Sequence, residues 1–208
     1  MTPPDTPSRR PARAIAIALL VVAVALAADL WVKAASWDYF VDASVQNDEG
    51  RILLARTDAR DVVVIPHGLE LTAVANQGAA MGMGQGKQTL FLLVSGVAIV
   101  ALVGFFVHAV YRPVGGRVRR GIYRTILALL MAGVLGNFYD RLRFAYVRDM
   151  FHMLPRVEWP GWVPWLGNSA VFPWVFNLAD VYLCVGVGAI LLLGVFPPPE
   201  PKKVEEPA

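Results

Sequence analysis

IYRTILALLMAGVLGNFYDRLRFAYVRDM, residues 122–150, is the stretch whose reading decides the fold. From Ile122 to about Phe138 it is an apolar run suited to a ~30 Å hydrocarbon core. Its end is polar: Asn137, Asp140 and Arg141 fall at i, i+3 and i+4 and share one helix face. Asp149 follows nine residues after Asp140; if the helix continues, it sits ~13 Å further out at about 1.5 Å per residue. The pattern recurs at Asn177 and Asp180, again i and i+3, just before the apolar run Val181 to Phe196. Ionisable groups at the margin of hydrocarbon cost several kcal/mol unless they are paired, hydrated or used. Each such residue taken singly is accounted for as a helix cap or interfacial anchor. The convergence of Asp29, Asn76, Asp140, Asp149 and Asp180 at one membrane face shifts the balance toward chemistry.

Composition sets the class. Hydrophobic residues make up 56% and charged residues 17% of the 208, with a mean hydropathy of +0.51, far from the balance of a soluble domain. The chain reads as an integral, all-α membrane protein with four spans, about 14–35, 90–111, 122–138 and 179–196. Arg9, Arg10 and Arg13 precede the first span, and Arg112, Arg117, Arg119, Arg120 and Arg124 lie between the second and third. By the positive-inside rule these are cytoplasmic, so both termini are cytoplasmic and both long loops share the outer face. The organisation expected is a cytoplasmic tail (1–13), one membrane domain (14–196) and a second tail (197–208). The pI of about 9.2 then reflects topology and anionic headgroups; nothing asks for nucleic acid.

The first span has a competitor, because three arginines, an apolar run and Ala25-Leu26-Ala27 also resemble a cleavable signal. A retained anchor is preferred: the segment continues through Leu30, Trp31 and Val32, and four spans place both basic clusters on one side. Asp29 and Lys33, at i and i+4, then share a face near the outer surface, as an interfacial salt bridge or as part of a site.

In the first outer loop, a polar stretch (46–60) gives way to β-branched segments, 61–66 and 69–75, that predict a small β element on the membrane surface. It runs into Asn76-Gln-Gly-Ala-Ala-Met-Gly-Met-Gly84, a small-residue loop open to close backbone approach or simply a connector. The second loop carries Trp159, Trp162, Trp165 and Trp174 among prolines, the composition of an aromatic belt. The one cysteine, Cys184, lies in the last span and reads as a packing residue, so neither an intramolecular disulfide nor a Cys-based metal site is available. His67, His108 and His152 are scattered, without an HExxH pair or a serine nucleophile elbow. What remains is a pair of carboxylates, which cannot both ionise cheaply when close, so that one holds a proton while the other activates water. A proton-coupled transporter is disfavoured, because it would place its carboxylates near the midplane, often within inverted repeats. A non-catalytic lipid-binding relative is disfavoured because both aspartates are present.

Asp29 with Lys33, Asn76-Gln-Gly-Ala-Ala, Gly136-Asn-Phe-Tyr-Asp-Arg141 followed by Val147-Arg-Asp149, and Phe176-Asn-Leu-Ala-Asp180 stand in an order and spacing that resemble the lipoprotein signal peptidase (signal peptidase II) family over nearly the whole length. The resemblance implies a four-helix membrane enzyme with a small extracytoplasmic β-cradle, in the bacterial inner membrane. It implies an aspartic endopeptidase that removes the signal peptide of diacylglyceryl-modified prolipoproteins just before the lipidated cysteine. Asp149 and Asp180 match the family's catalytic pair; Asn76, Asn137, Asp140, Arg141 and Asn177 match its supporting polar residues, and Asp29 and Lys33 its first-span motif. No metal or organic cofactor is implied. The partners expected are the prolipoprotein and membrane lipid, for a monomeric enzyme. Met81, Leu30, Ala145 and Met150 depart from the family's usual Phe, Gln, Gly and Phe, and both outer loops look longer than is typical.

Overall fold

The computed structural model describes residues 9–48, 51–57, 61–78, 87–112 and 115–195. The described residues form four helices and two small β-sheets, in a multi-pass membrane protein. The elements run α1 (Arg9–Phe40), β1 (Val41–Gln46), β2 (Ile52–Arg56), β3 (Val62–Ile65), β4 (Leu69–Asn76), α2 (Gln88–Tyr111), α3 (Arg117–Phe144), β5 (Val147–Met153), β6 (Val175–Phe176) and α4 (Leu178–Val195). Three helical segments, Pro11–Phe40, Gln88–Tyr111 and Arg117–Phe144, are long and apolar enough to cross a membrane; Leu178–Gly194 is a shorter apolar helix. The small-residue loop beyond Gly78, with Met81, and most of both tails lie outside the described residues.

α3 is the central helix, in contact with each of the other three. Glycine allows that closeness: a Cβ on Gly133 would lie 2.7 Å from the carbonyl oxygen of Ala179 on α4, and one on Gly136 would collide with the Asp29 carboxylate on α1. Ala179 is fully buried in that seam, and Ala132, beside Gly133 in sequence, is fully buried as well. With no hydrophobic effect between helices in lipid, such small residues gain contact by letting backbones approach. At the other end of the bundle Arg124 donates to the carbonyl of Ala109 at 2.9 Å, binding the last turn of α2 to α3. Outward-facing residues such as Leu20, Val97, Val100, Leu191 and Leu192 are exposed on the protein surface, where a bilayer would cover them.

α3 stops at Ala145, which takes the left-handed conformation (φ 68°) and returns its N–H to Arg141 O at 3.1 Å. Asp149 is therefore not on a prolonged helix. It lies on β5, which turns back and pairs antiparallel with β4: Val74 stands opposite Asp149, Ala75 opposite Arg148 and Asn76 opposite Val147. The larger sheet has the order β3-β4-β5-β6 and β1-β2 forms a separate hairpin. Strand structure thus extends in two directions beyond the sequence reading. The second loop contributes β5 and β6, and the stretch 46–60 that reads as merely polar holds β2 and the end of β1. Cross-strand partners, which local composition does not reveal, decide both cases.

Candidate active site

Five elements meet where the sheet joins the bundle. α1 supplies Asp29 and Lys33, β4 supplies Asn76, α3 supplies Asn137, Asp140 and Arg141, β5 supplies Arg148 and Asp149, and the start of α4 supplies Asn177 and Asp180. Asp29, Lys33, Asp140, Asp149 and Asn177 are essentially inaccessible, and Asn137 is buried.

Asp149 and Asp180 are held by amides. Asn76 donates Nδ2 to Asp149 Oδ2 at 2.9 Å, and Asn177 donates Nδ2 to Asp149 Oδ1 at 2.7 Å. Asn137 donates Nδ2 to Asp180 Oδ1 at 2.8 Å. Two of the three holders are joined, since Asn177 Nδ2 also reaches Asn137 Oδ1 at 3.1 Å. Asn177 and Asp180 form a reciprocal cap on α4: Asn177 Oδ1 accepts the N–H of Asp180 (3.1 Å), and Asp180 Oδ2 accepts the N–H of Asn177 (3.2 Å). This is the capping-box geometry, and it orients Asp180 through the same hydrogen bonds that start the helix. A further N–H of that first turn, on Ala179, donates to Asp29 Oδ1 at 2.9 Å.

Behind the pair lies a cluster of four ionisable side chains. Lys33 Nζ lies 2.9 Å from Asp29 Oδ2 and 3.4 Å from Asp140 Oδ2, and donates to Asn137 Oδ1 at 3.0 Å. Arg148 donates to Asp140 three times, from its backbone N–H (3.0 Å), Nε (3.2 Å) and a terminal nitrogen (2.8 Å), with its guanidinium 4.5 Å from the Phe144 ring centroid. Two acids and two bases make the cluster neutral, which is the condition for holding charge away from water. Lys33 links it to the site, because the Asn137 amide that accepts from Lys33 donates to Asp180.

On β5, outside the helices, burial pushes the Asp149 carboxyl up to about 7, and the charge of Asp180 pushes the same way, against the opposing donors Asn177 and Asn76.

Arg141 is held beside the pair by backbone carbonyls rather than by the carboxylates themselves. One terminal nitrogen donates to Gly78 O (3.1 Å) and the other to Asn137 O (3.4 Å), its guanidinium lies 5.3 Å from the Phe91 ring centroid, and its own carbonyl accepts from Gln88 Nε2 (2.8 Å). It ties α3 to the start of the loop after β4 and to α2. Arg148 is the residue that sequence reasoning left without a role. Its signal was present in the Val147-Arg-Asp149 motif, but the pairing with Asp140 crosses a helix end and a strand start that spacing alone does not locate.

Amide-held carboxylates beside a neutral ionic cluster, at one end of an apolar helical bundle, define a class, the aspartic peptidases of membranes. Residues 21–196 match the family model described as signal peptidase (SPase) II, and the chain belongs to that family. Among its relatives are a lipoprotein signal peptidase of Latilactobacillus sakei subsp. sakei, 36% identical over 129 residues, covering 62% of this chain and 71% of the relative. Another, from Clostridium acetobutylicum, is 34% identical over 134 residues, covering 64% and 73%. The fold is similar to a solved bacterial membrane enzyme with a TM-score of 0.60 at 26% identity, covering 93% of this chain and 95% of that one. A second such structure gives 0.58 at 25% identity, covering 87% and 94%.

Proposed function

We propose that Asp149 and Asp180 are the catalytic pair with which this chain, a signal peptidase II, removes the signal peptide from diacylglyceryl-modified prolipoproteins by cleaving before the lipidated cysteine. The observation that carries the assignment is the shared holder Asn177, which donates to Asp149 at 2.7 Å and exchanges a reciprocal cap with Asp180.

Asp149, buried and raised toward neutral pH, enters the reaction protonated; Asp180, beside it, enters as carboxylate. Asp180 takes a proton from a water molecule while Asp149 donates its proton to the scissile carbonyl oxygen, giving a neutral gem-diol. Asp149, now ionised, takes a hydroxyl proton back as the C–N bond breaks, and Asp180 passes its proton to the leaving amine, so the pair returns to its starting state. Asn76, Asn137 and Asn177 hold the oxygens in register for these transfers. Asp29, Lys33 and Asp140 support Asn137 and the start of α4, and Arg141 anchors the loop after Asn76.

In this reading residues 14–196 form one peptidase domain with four spans, flanked by cytoplasmic tails, in the bacterial inner membrane. The sheets form a cradle on the extracytoplasmic face. The basic residues Arg117, Arg119, Arg120 and Arg124 at the start of α3 support that orientation, since they stand at the opposite end of the helix from Asp140. The lipid part of the substrate positions the scissile bond by residing in the membrane beside the site, and one chain carries every residue required, as a monomer would. The test is processing of a diacylated model prolipoprotein by the purified protein and by Asp149→Asn and Asp180→Asn. Cleavage before the lipidated cysteine by the wild type, abolished in both variants, is expected. Normal cleavage by either variant removes that residue from the pair.

A further inference from the structure

The connection from β5 to β6 is far longer than the ~2–5 residues that join antiparallel neighbours in a hairpin, and its distal part is a built finger. Trp159 N–H donates to Ser169 O and Asn168 N–H returns to Trp159 O, each at 2.9 Å; Gly167 N–H closes the tip on Val163 O at 2.9 Å. The base is fastened to the sheet by Leu154 N–H on Gly68 O (2.9 Å) and by the ion pair Arg156–Glu70 (3.1 Å).

The tip, residues 159–168, reads Trp-Pro-Gly-Trp-Val-Pro-Trp-Leu-Gly-Asn and contains no charged residue. Trp162 is 82% and Trp165 100% exposed, on a backbone bonded to itself. Trp165 holds the left-handed conformation, φ 62°, which a bulky side chain adopts only under constraint.

We propose that the finger is a membrane anchor, with Trp162 and Trp165 seated in the headgroup-level zone of the bilayer leaflet on the active-site side. Continuity points to lipid as the occupant. The finger returns through β6 straight into α4, whose exposed Val185 and Val187 begin the apolar surface a bilayer covers. A neutral tip with an amphipathic indole, apolar in body and with one N–H, matches the interfacial zone. Its charged residues, Arg156 and Glu158, stay at the base. The anchor does not depend on the catalytic assignment.

The test uses the full chain reconstituted in phosphatidylcholine vesicles whose acyl chains carry bromines close to the headgroup, comparing the wild type with Trp162→Tyr/Trp165→Tyr. The emission lost in the double variant is the contribution of the tip. It should be quenched by the brominated lipid and shielded from aqueous iodide. Quenching of that component by iodide, with none by the lipid, overturns the proposal. Should the double variant not insert, an environment-sensitive nitrobenzoxadiazole label on Leu166→Cys in a Cys184→Ala background reports instead. A blue-shifted emission in vesicles supports the anchor, and a water-like emission refutes it.

Discussion

Asn177 donates its side-chain amide to Asp149 at 2.7 Å, and in doing so ties the strand that carries one carboxylate to the helix cap that orients the other. One side chain therefore has two separable duties. Asn177→Ala should lose the cap, costing about 0.5–2 kcal/mol of stability, and should lower kcat by roughly 10²-fold or more through the displaced pair. A thermal melt alongside single-turnover cleavage separates the two. An Asn177→Ser variant, which restores the cap without the amide donor, should recover stability and leave the rate depressed. Recovery of both would limit Asn177 to helix capping.

The raised Asp149 carboxyl gives the enzyme a signed pH dependence. If Asp149 must start protonated, activity falls as pH rises through about 7. Asn76 and Asn177 both oppose the rise by donating to the ionised form. Removing one donor with Asn76→Ala should move the alkaline limb to higher pH while lowering the maximal rate. A pH profile of kcat checks this, and an unmoved or downward-moved limb contradicts it.

Stability follows the same linkage. Folding raises the Asp149 pKa from 3.8 to about 7, so the folded chain holds this proton more tightly than the unfolded one. The associated stability is fully present below about pH 4 and is lost as pH rises through about 7. Asp149→Asn, neutral throughout, should therefore unfold at a higher temperature than the wild type at pH 8, with the gap closing toward pH 5. Equal midpoints at both pH values would show that Asp149 carries its charge at little cost.

How far the site was legible from the residues depends on how each one is brought in. Asn137 with Asp140, and Asn177 with Asp180, are helical neighbours at i and i+3, a relation that spacing reveals directly. Asp29 and Lys33 likewise announce a shared face, although nothing local says that Lys33 also reaches Asn137 on α3. Asp149 was legible as a residue but not as a place: Ala145 adopts φ 68° without being glycine, and no local signal marks that helix end. The strand beyond it exists because β4 is there to pair with it. Arg148 was missed for the same reason, since its bonds to Asp140 span the turn that Ala145 makes. β6, with two residues, is too short for any pattern to show.

The ionic cluster predicts a strong asymmetry between single and paired substitutions. Lys33 is fully buried and serves two carboxylates. Lys33→Met leaves Asp29 without its cation and Asp140 with Arg148 alone, and breaking a buried pair from one side costs about 3–5 kcal/mol. Adding Asp29→Asn removes the stranded charge, so Lys33→Met/Asp29→Asn should be more stable than Lys33→Met alone. Midpoints of unfolding in the same detergent decide it, and a double variant less stable than the single one would show that the charges of Lys33 and Asp29 are not coupled.

Gly133 offers a way to move Asp180 without altering any polar side chain. A methyl at this position would lie 2.7 Å from the Ala179 carbonyl, a backbone atom that yields only if the first turn of α4 moves, carrying Asp180 with it. Helix propensity runs the other way, since Gly→Ala inside a helix favours the helix by about 1 kcal/mol. Gly133→Ala should nevertheless reduce cleavage, because the two carboxylates need a fixed separation more than α3 needs added helicity. Gly104→Ala on α2 is the matched control: nothing lies within 4 Å of its added methyl, so propensity acts there unopposed. It should cleave as the wild type does and melt no lower. Comparable activity of the two variants would show that α4 can slide along α3 without disturbing the pair.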